Sequence, residues 1–256
     1  NLIGVTFVGS KVVGSALGQD KVLIKQVLES SKLPVVAYSW FYDYEFLNEK
    51  EVILSKINEL SYPVIVKPAT LGSSVGISIA HNEKEIEDAI LEAIKYDTKV
   101  LVEKLVNNLT EINCSVLGNY EFCETSVLEE VLGEEEFLTY KDKYLSKGKS
   151  KGMASTNRIL PARIDKSLES EVINLSKEVF KALNLSGLCR IDYLIDKDSK
   201  KVFVNEPNTI PGSLSFYLWE PLGKKYSELL DDMITIAIKD FKQSKTKIRS
   251  FETNIL

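Results

Sequence analysis

Histidine is almost missing from these 256 residues: His81 is the only one. A reaction built on a histidine general base, a histidine nucleophile or a histidine-rich zinc site has almost nothing to use here. His81 stands beside Asn82 at the expected start of a helix, where a lone imidazole belongs to the surface or to the cap. Cysteine is scarce too. Cys114, Cys123 and Cys189 are odd in number and lack the close paired spacing of a metal site. They read as reduced core thiols of a cytoplasmic protein. No apolar run approaches the roughly 18 residues that a bilayer-crossing helix needs. Positive charge is not in excess either. The net charge is −5 and the pI near 5.2, which argues against a broad basic face for nucleic acid and still allows a local basic pocket.

What is present is ordinary globular material, 44% hydrophobic and 27% charged, enough for one large domain or two small ones. The first residue is Asn1, and residues 2–9 read like the middle of a longer chain, so an upstream portion is expected. Periodicity predicts a helix over 18–31 with Leu23, Val27 and Leu28 on one face, and a short strand over 34–37. A helix over 49–60 should turn Val52, Ile53 and Ile57 inward. Strands follow over 63–67 and 77–80. Asn82 should then cap a helix reaching residue 96, with Glu85 in the capping-box position, before a strand over 99–104. From Glu111 the pattern changes to a hairpin around Gly118-Asn119. Residues 134–153 are charge-rich and read as a long mobile loop. Asp165 opens a helix carrying Leu168, Val172, Leu175, Val179 and Leu183. A last helix over 224–241 carries Leu229, Leu230, Met233, Ile234 and Ala237, and a Lys-rich polar tail follows. The whole is an α+β chain.

The residues that could carry chemistry lie at strand ends and in loops. The run Arg190-Ile191-Asp192 and the run Val202-Phe203-Val204-Asn205-Glu206-Pro207-Asn208 read as two strands joined by hairpin chemistry over 196–200, each finishing in oxygen ligands. Asp192, Glu206 and Asn208 should meet across adjacent strands, and hard oxygen donors of this kind suit magnesium. Arg190 should share the strand face of Asp192, where an anionic phosphate would lie. Lys67 ends an apolar strand, and residues 72–76, Gly-Ser-Ser-Val-Gly, form a loop that folds like a flap, with Ser73 and Ser74 offering hydroxyls. Glu103 and Lys104 end another strand. Asp20-Lys21 at a helix start and Lys143-Tyr144 in the charge-rich loop are weaker signals, each equally readable as solvated surface.

These motifs occur in the order and rough spacing of D-alanine–D-alanine ligases, members of the ATP-grasp superfamily, which the chain resembles from residue 9 to about 241. The resemblance implies an ATP-grasp fold of two α+β subdomains that sandwich the nucleotide. The expected division is a remnant or linker over 1–17, a central subdomain over 18–106, a C-terminal subdomain over 107–242 with a lid loop at about 133–153, and a tail over 243–256. It implies that Lys21, Lys67 and Lys143 hold ATP phosphates with the flap serines Ser73 and Ser74. Glu103, Lys104 and Val106 would line the adenine pocket, and Glu111 would bind ribose. Asp192, Glu206 and Asn208 would hold two magnesium ions, with manganese as an alternative. Ser73 and Tyr144 would sit near the first amino acid. Arg190 and the Gly212 backbone would stabilise the acyl phosphate and the tetrahedral intermediate. The implied activity joins two D-alanines in peptidoglycan precursor synthesis, in the cytoplasm, with small-molecule substrates only and a homodimer for the whole protein.

Two departures from the family pattern stand out. The N-terminal domain that precedes the equivalent of Gly4 is not in this sequence, so the chain reads as a truncated form with impaired ligation. After Gly212 the family places a small hydroxyl residue near the second substrate's carboxylate, where this chain has Tyr217. Two alternatives therefore stand beside the ligase reading. One is a nucleotide-binding module without ligation, and the other is a ligase whose second substrate is D-serine, D-lactate or another acceptor.

Overall fold

Two antiparallel sheets carry the fold, each built from strands with one greasy and one polar face. The computed structural model describes residues 4–132 and 158–248. The first unit runs α1 (Val12–Leu17), α2 (Lys21–Ser30), β1 (Tyr38–Tyr42), α3 (Asp43–Asn48), α4 (Lys50–Asn58), β2 (Val64–Pro68), β3 (Ser78–Ala80), α5 (Ile86–Ile94) and β4 (Lys99–Lys104). Its strands lie in the order β1-β4-β2-β3. Val64, Val66, Val100 and Val102 alternate onto one face and meet Ile53 and Ile57 of α4 and Ile86 and Ile90 of α5. Each of these buried isoleucines contributes roughly 1.5–3 kcal/mol. The same alternation sends Ile65, Lys67, Leu101 and Glu103 to the other face.

The second unit runs β5 (Leu109–Gly118), β6 (Cys123–Val131), β7 (Arg158–Ile159), α6 (Lys166–Ala182), β8 (Gly187–Asp196), β9 (Val202–Asn208), two 3-10 turns (Gly212–Leu218 and Glu220–Leu222) and α7 (Tyr226–Lys245). The strand order is β7-β6-β5-β8-β9. One face, with Ile112, Cys114, Ile191 and Tyr193, packs against Val172, Val179 and Phe180 of α6. On the opposite face the end nearest Leu117 and Leu188 is covered by Trp219 and by Leu229 and Met233 of α7. The rest of that face is polar.

Backbone and helix together join the sheets. Residues 34–37 do not form the expected strand, because Pro34 has no N–H to donate to a ladder. They run as an extended strap instead. Pro34 O accepts from Val204 N of β9 and Ala37 O from Lys104 N of β4, both at 2.9 Å. Regular pairing begins at Tyr38. α2 also bridges the units. Asp20 caps it by accepting from Val22 N and Leu23 N at 2.9 and 3.1 Å. That start turns Val22, Ile24, Lys25 and Leu28 inward rather than Leu23, which is 39% exposed. Ile24 and Leu28 join the core under the second sheet, while Val22 packs on Ala69 and Leu101 of the first.

Other expectations shift for local reasons. Val52, expected inward, lies on the solvent side of α4, and Ile234 on that of α7. α5 begins at Ile86, since Glu85 Oε2 takes His81 N at 2.9 Å and residues 81–85 close as turns first. Asp192 lies inside β8 rather than at its end, as the strand continues to Asp196. α7 runs on to Lys245. Lys143, Tyr144 and the expected lid over 133–153 lie outside the described residues, as does the tail beyond 248.

Candidate nucleotide and metal site

The cleft between the two polar faces collects most of the residues singled out in the sequence. On the first sheet, Lys67 of β2 and Glu103 of β4 are buried, at 8% and 4% exposure. Glu103 is ion-paired through one oxygen to Lys67 and through the other to Lys25 of α2. Burial alone pushes the Glu103 carboxyl up, but the charges of Lys67 and Lys25 and their hydrogen bonds outweigh it and bring the pKa down to about 2. The carboxylate is therefore ionised throughout the neutral range.

A pocket opens beside this cluster between the sheets. Ile65, Lys67, Glu103 and Lys104 line it from the first sheet, Leu109, Glu111, Leu194 and Asn205 from the second, and Val36, Leu105 and Val106 from the segments that cross over. Apolar walls with a few fixed polar groups suit a flat heteroaromatic ring and its attached sugar. Lys67, Glu103, Lys104, Val106 and Glu111, five residues proposed from sequence to touch the nucleotide, thus share one cavity.

Lys21 connects the pocket side to the metal side. It stands in the first turn of α2, donates to Leu71 O at 2.5 Å and lies 3.6 Å from Glu206 Oε2 of β9. The 72–76 loop is tied down at its base. Gln19 Nε2 donates to Thr70 O at 2.6 Å, and Asp97 Oδ2 accepts from Thr70 N and Thr70 Oγ1, both at 2.8 Å. Ser73 and Ser74 sit in this loop at φ +57° and +60°, a left-handed region that ordinary residues adopt at some cost. Gly76 at φ +68° closes the loop, where a Cβ would come within 2.6 Å of Tyr96 Cδ2 and 2.8 Å of Pro68 Cγ.

On the second sheet, strand register aligns four polar side chains in one row: Glu129 of β6, Asn113 of β5, Asp192 of β8 and Glu206 of β9. Directly opposed residues share a sheet face, so the row crosses the floor of the cleft. Arg190 and Asn208 form the next row pair. Arg190 grips Asp192 bidentately, Nε to Oδ1 at 2.7 Å and Nη2 to Oδ2 at 2.8 Å. Asn208 Nδ2 also donates to Asp192 Oδ2, at 2.9 Å. Burial pushes the Asp192 carboxyl up. Arg190 opposes this, while the negative charges of Glu206 and Glu111 add to it, and the result is about 6.

Among the described residues no group of three or more His, Cys, Asp or Glu side chains gathers around one point. The donor set is instead two carboxylates and an amide. That set fits a hard divalent cation that keeps waters and phosphate oxygens as its other ligands, and the raised Asp192 carboxyl marks a place where added positive charge is favoured. Gly212 opens the turn four residues beyond Asn208. Ser213, Leu214 and Ser215 after it have φ of 49°, 52° and 48°.

Two groups escaped the sequence reading, the second of them apart from Tyr217. Lys25 is a lysine on an apolar helix face, and its place between Val22 and Leu28 at three-residue spacing was the available signal. The second group surrounds buried Glu129. It accepts from Asn113 Nδ2 at 2.9 Å, Tyr217 Oη at 3.0 Å and Arg158 Nη1 at 3.2 Å. The Arg158 guanidinium carbon lies 4.1 Å from the centre of the Tyr217 ring. Burial and the Glu129 charge push the Tyr217 phenol up to about 12, so it is a neutral donor. These residues come from β5, β6, β7 and a turn, which no local pattern links.

The family described as D-ala D-ala ligase C-terminus matches residues 27–235. A D-alanine–D-alanine ligase of Thermosipho africanus is 40% identical over 99% of this chain and 66% of its own length. One from Clostridium acetobutylicum is 41% identical over 92% of this chain and 68% of its own. The chain thus spans about two thirds of the curated relatives it matches. Among solved structures, the VanG D-Ala:D-Ser ligase of Enterococcus faecalis superposes with a TM-score of 0.79 at 29% identity, covering 92% of this chain and 66% of that one. The D-alanine–D-alanine ligase of Coxiella burnetii gives 0.77 at 26% identity, with 95% and 63% covered. With the family model matching residues 27–235, the chain belongs to the D-alanine–D-alanine ligase C-terminal family.

Proposed function

We propose that this chain is the nucleotide-binding part of an ATP-dependent carboxylate–amine ligase that joins two D-alanines for peptidoglycan precursor synthesis. The observation that carries the reading is the opposition of Lys21 and Lys67 to the row holding Asp192 and Glu206, with Lys21 3.6 Å from Glu206. Opposed cations and carboxylates of this kind accept a polyphosphate together with its divalent cation. Glu103, Lys104 and Val106, with Leu105 beside them, would line the adenine pocket, and Glu111 would take the ribose hydroxyls. Lys21, Lys67, Lys143 and the flap residues Ser73 and Ser74 would neutralise and orient the phosphates.

Asp192, Glu206 and Asn208 would hold two magnesium ions, which when bound supply charge neutralisation for phosphoryl transfer. The carboxylate of the first D-alanine, near Ser73 and Tyr144, would take the terminal phosphoryl group. The amine of the second would then attack the acyl carbon, and collapse of the tetrahedral adduct would break the C–O bond to phosphate, releasing inorganic phosphate and the amine proton as the amide forms. Arg190 and the Gly212 N–H would offset the oxyanion of that step.

Two measurements test this. Titration calorimetry on the chain should show Mg-ATP binding, weakened at least tenfold in Lys67→Ala. Phosphate release by the whole gene product should depend on D-alanine and not on L-alanine. Release indifferent to D-alanine would remove the ligase reading. The corner of Tyr217, Glu129 and Arg158 favours a second reading, a ligase whose acceptor differs from D-alanine. A panel of D-serine, D-lactate and other D-acceptors separates the two by which one gives the fastest release.

A further inference from the structure

Lys25 is 2% exposed. A buried ammonium is tolerated only when an anion replaces its water, and Lys25 has that anion in Glu103. The same carboxylate already has Lys67 as a partner. Two cations and one anion therefore cluster on the first-sheet side of the cleft, where one cation would balance the charge. They are not equivalent. Lys67 lines the pocket and Lys25 does not.

Lys25 is also held from behind. Its Nζ lies 5.3 Å from the centre of the Tyr38 ring, and Tyr38 stands opposite Glu103 in the β1–β4 register. The Tyr38 hydroxyl donates to Glu29 Oε2 at 2.8 Å, so α2 grips Tyr38 one turn beyond Lys25. One turn before it on the same helix is Lys21.

From this arrangement we infer that Lys25 is a positioning residue for nucleotide binding: it keeps Glu103 compensated when Lys67 leaves that carboxylate for a phosphate group. This rests on the nucleotide-binding reading above and assigns a task to a side chain outside the pocket. In the free protein Glu103 divides itself between two lysines. When phosphate oxygens arrive, the Lys67 ammonium exchanges one anion for another, and Lys25 alone balances Glu103. Without Lys25 the same exchange would leave a buried carboxylate with no cation, and phosphate binding would have to overcome that penalty. The second lysine thus makes the phosphate-binding lysine free to move.

The test is Mg-ATP affinity by titration calorimetry on wild type, Lys25→Met, Glu103→Gln and the double variant. Lys25→Met removes the charge and keeps the length of the side chain, and it leaves Lys67 and Glu103 as a balanced pair. Its Kd should rise at least tenfold. Removing the stranded charge should restore binding, so the double variant should return to within about threefold of Glu103→Gln alone. A purely structural role for Lys25 would not be repaired by a second change in the same cluster.

A Lys25→Met Kd within twofold of wild type, or a double variant as weak as Lys25→Met, overturns the inference while leaving the nucleotide reading intact. A wild-type chain that binds no Mg-ATP overturns both. Should Lys25→Met fail to fold, Lys25→Arg carries the test. It keeps the charge and should hold the Kd within about threefold, and a tenfold loss there also overturns the inference.

Discussion

Replacing Glu103 by glutamine should cost this protein a sizeable part of its stability, and the size follows from two independent arguments. The Glu103 carboxyl has its pKa brought from 4.5 to about 2. Each tenfold change in proton affinity corresponds to ~1.36 kcal/mol, so the ionised form contributes roughly 3 kcal/mol to folding. Glu103 is 4% exposed, so solvent screening subtracts little. The second argument starts from the partners. Glutamine would leave Lys25 and Lys67, at 2% and 8% exposure, without their anion, and breaking a buried ion pair costs about 3–5 kcal/mol. For a chain of this length a loss of about 3–5 kcal/mol lowers Tm by about 6–20 °C.

The sign of the pH dependence is fixed by the same numbers. A carboxyl with a lowered pKa stabilises the fold fully above 4.5, and the contribution fades as pH falls from 4.5 toward 2. Urea denaturation of both proteins at pH 7 and again near pH 3 should therefore show a gap that closes on acidification. A gap below about 1 kcal/mol at pH 7, or one equally wide at pH 3, would refute the account of the Lys25–Glu103–Lys67 cluster.

Further outcomes can be checked with simple measurements. Gly76→Ala places a Cβ 2.6 Å from Tyr96 Cδ2 at φ +68°, so the urea midpoint should drop by an amount equivalent to about 1–2 kcal/mol, and an unchanged midpoint would speak against the loop geometry. Ser115→Ala removes the acceptor of Trp219 Nε1, a 3.1 Å bond between two fully buried residues. It should destabilise by about 1–3 kcal/mol in calorimetric melting, because the indole N–H is then left without a partner. Cys114 and Cys189 are fully buried, and burial pushes the Cys114 thiol up to about 12. A thiol reagent at pH 8 should therefore label at most Cys123 in the folded protein and all three in denaturant, and rapid native labelling of all three would contradict the core packing.

The legible parts of the sequence were those where one period ruled a whole element. Val64 to Lys67 and Val100 to Glu103 read as strands because their apolar runs are short and bounded, and the motif residues at their ends fell into place with them. β1 was harder: four of the five residues in Tyr38-Ser39-Trp40-Phe41-Tyr42 are aromatic, so no clean alternation shows, and its partial burial follows from being an edge strand. The faces of α2 and α4 were misjudged by a residue or so because each has more apolar positions than one core can use. Lys25 and Glu129 illustrate a deeper limit. A charged residue scores as surface unless its counter-charge is known, and their partners lie far along the chain, on β4 for Lys25 and on β7 and the 212–218 turn for Glu129.

The strap over residues 34–37 has a mechanical consequence. Its two bonds, Pro34 O with Val204 N and Ala37 O with Lys104 N, pin both sheets to one short length of backbone, with anchor points about 10 Å apart. Because one bond goes to each sheet, the strap is a tether in series between them: it limits how far the sheets can part beside residues 34–37 before one of the two bonds breaks. α2, with Ile24 and Leu28 in one core and Val22 in the other, adds a second tie that any relative movement of the sheets must accommodate.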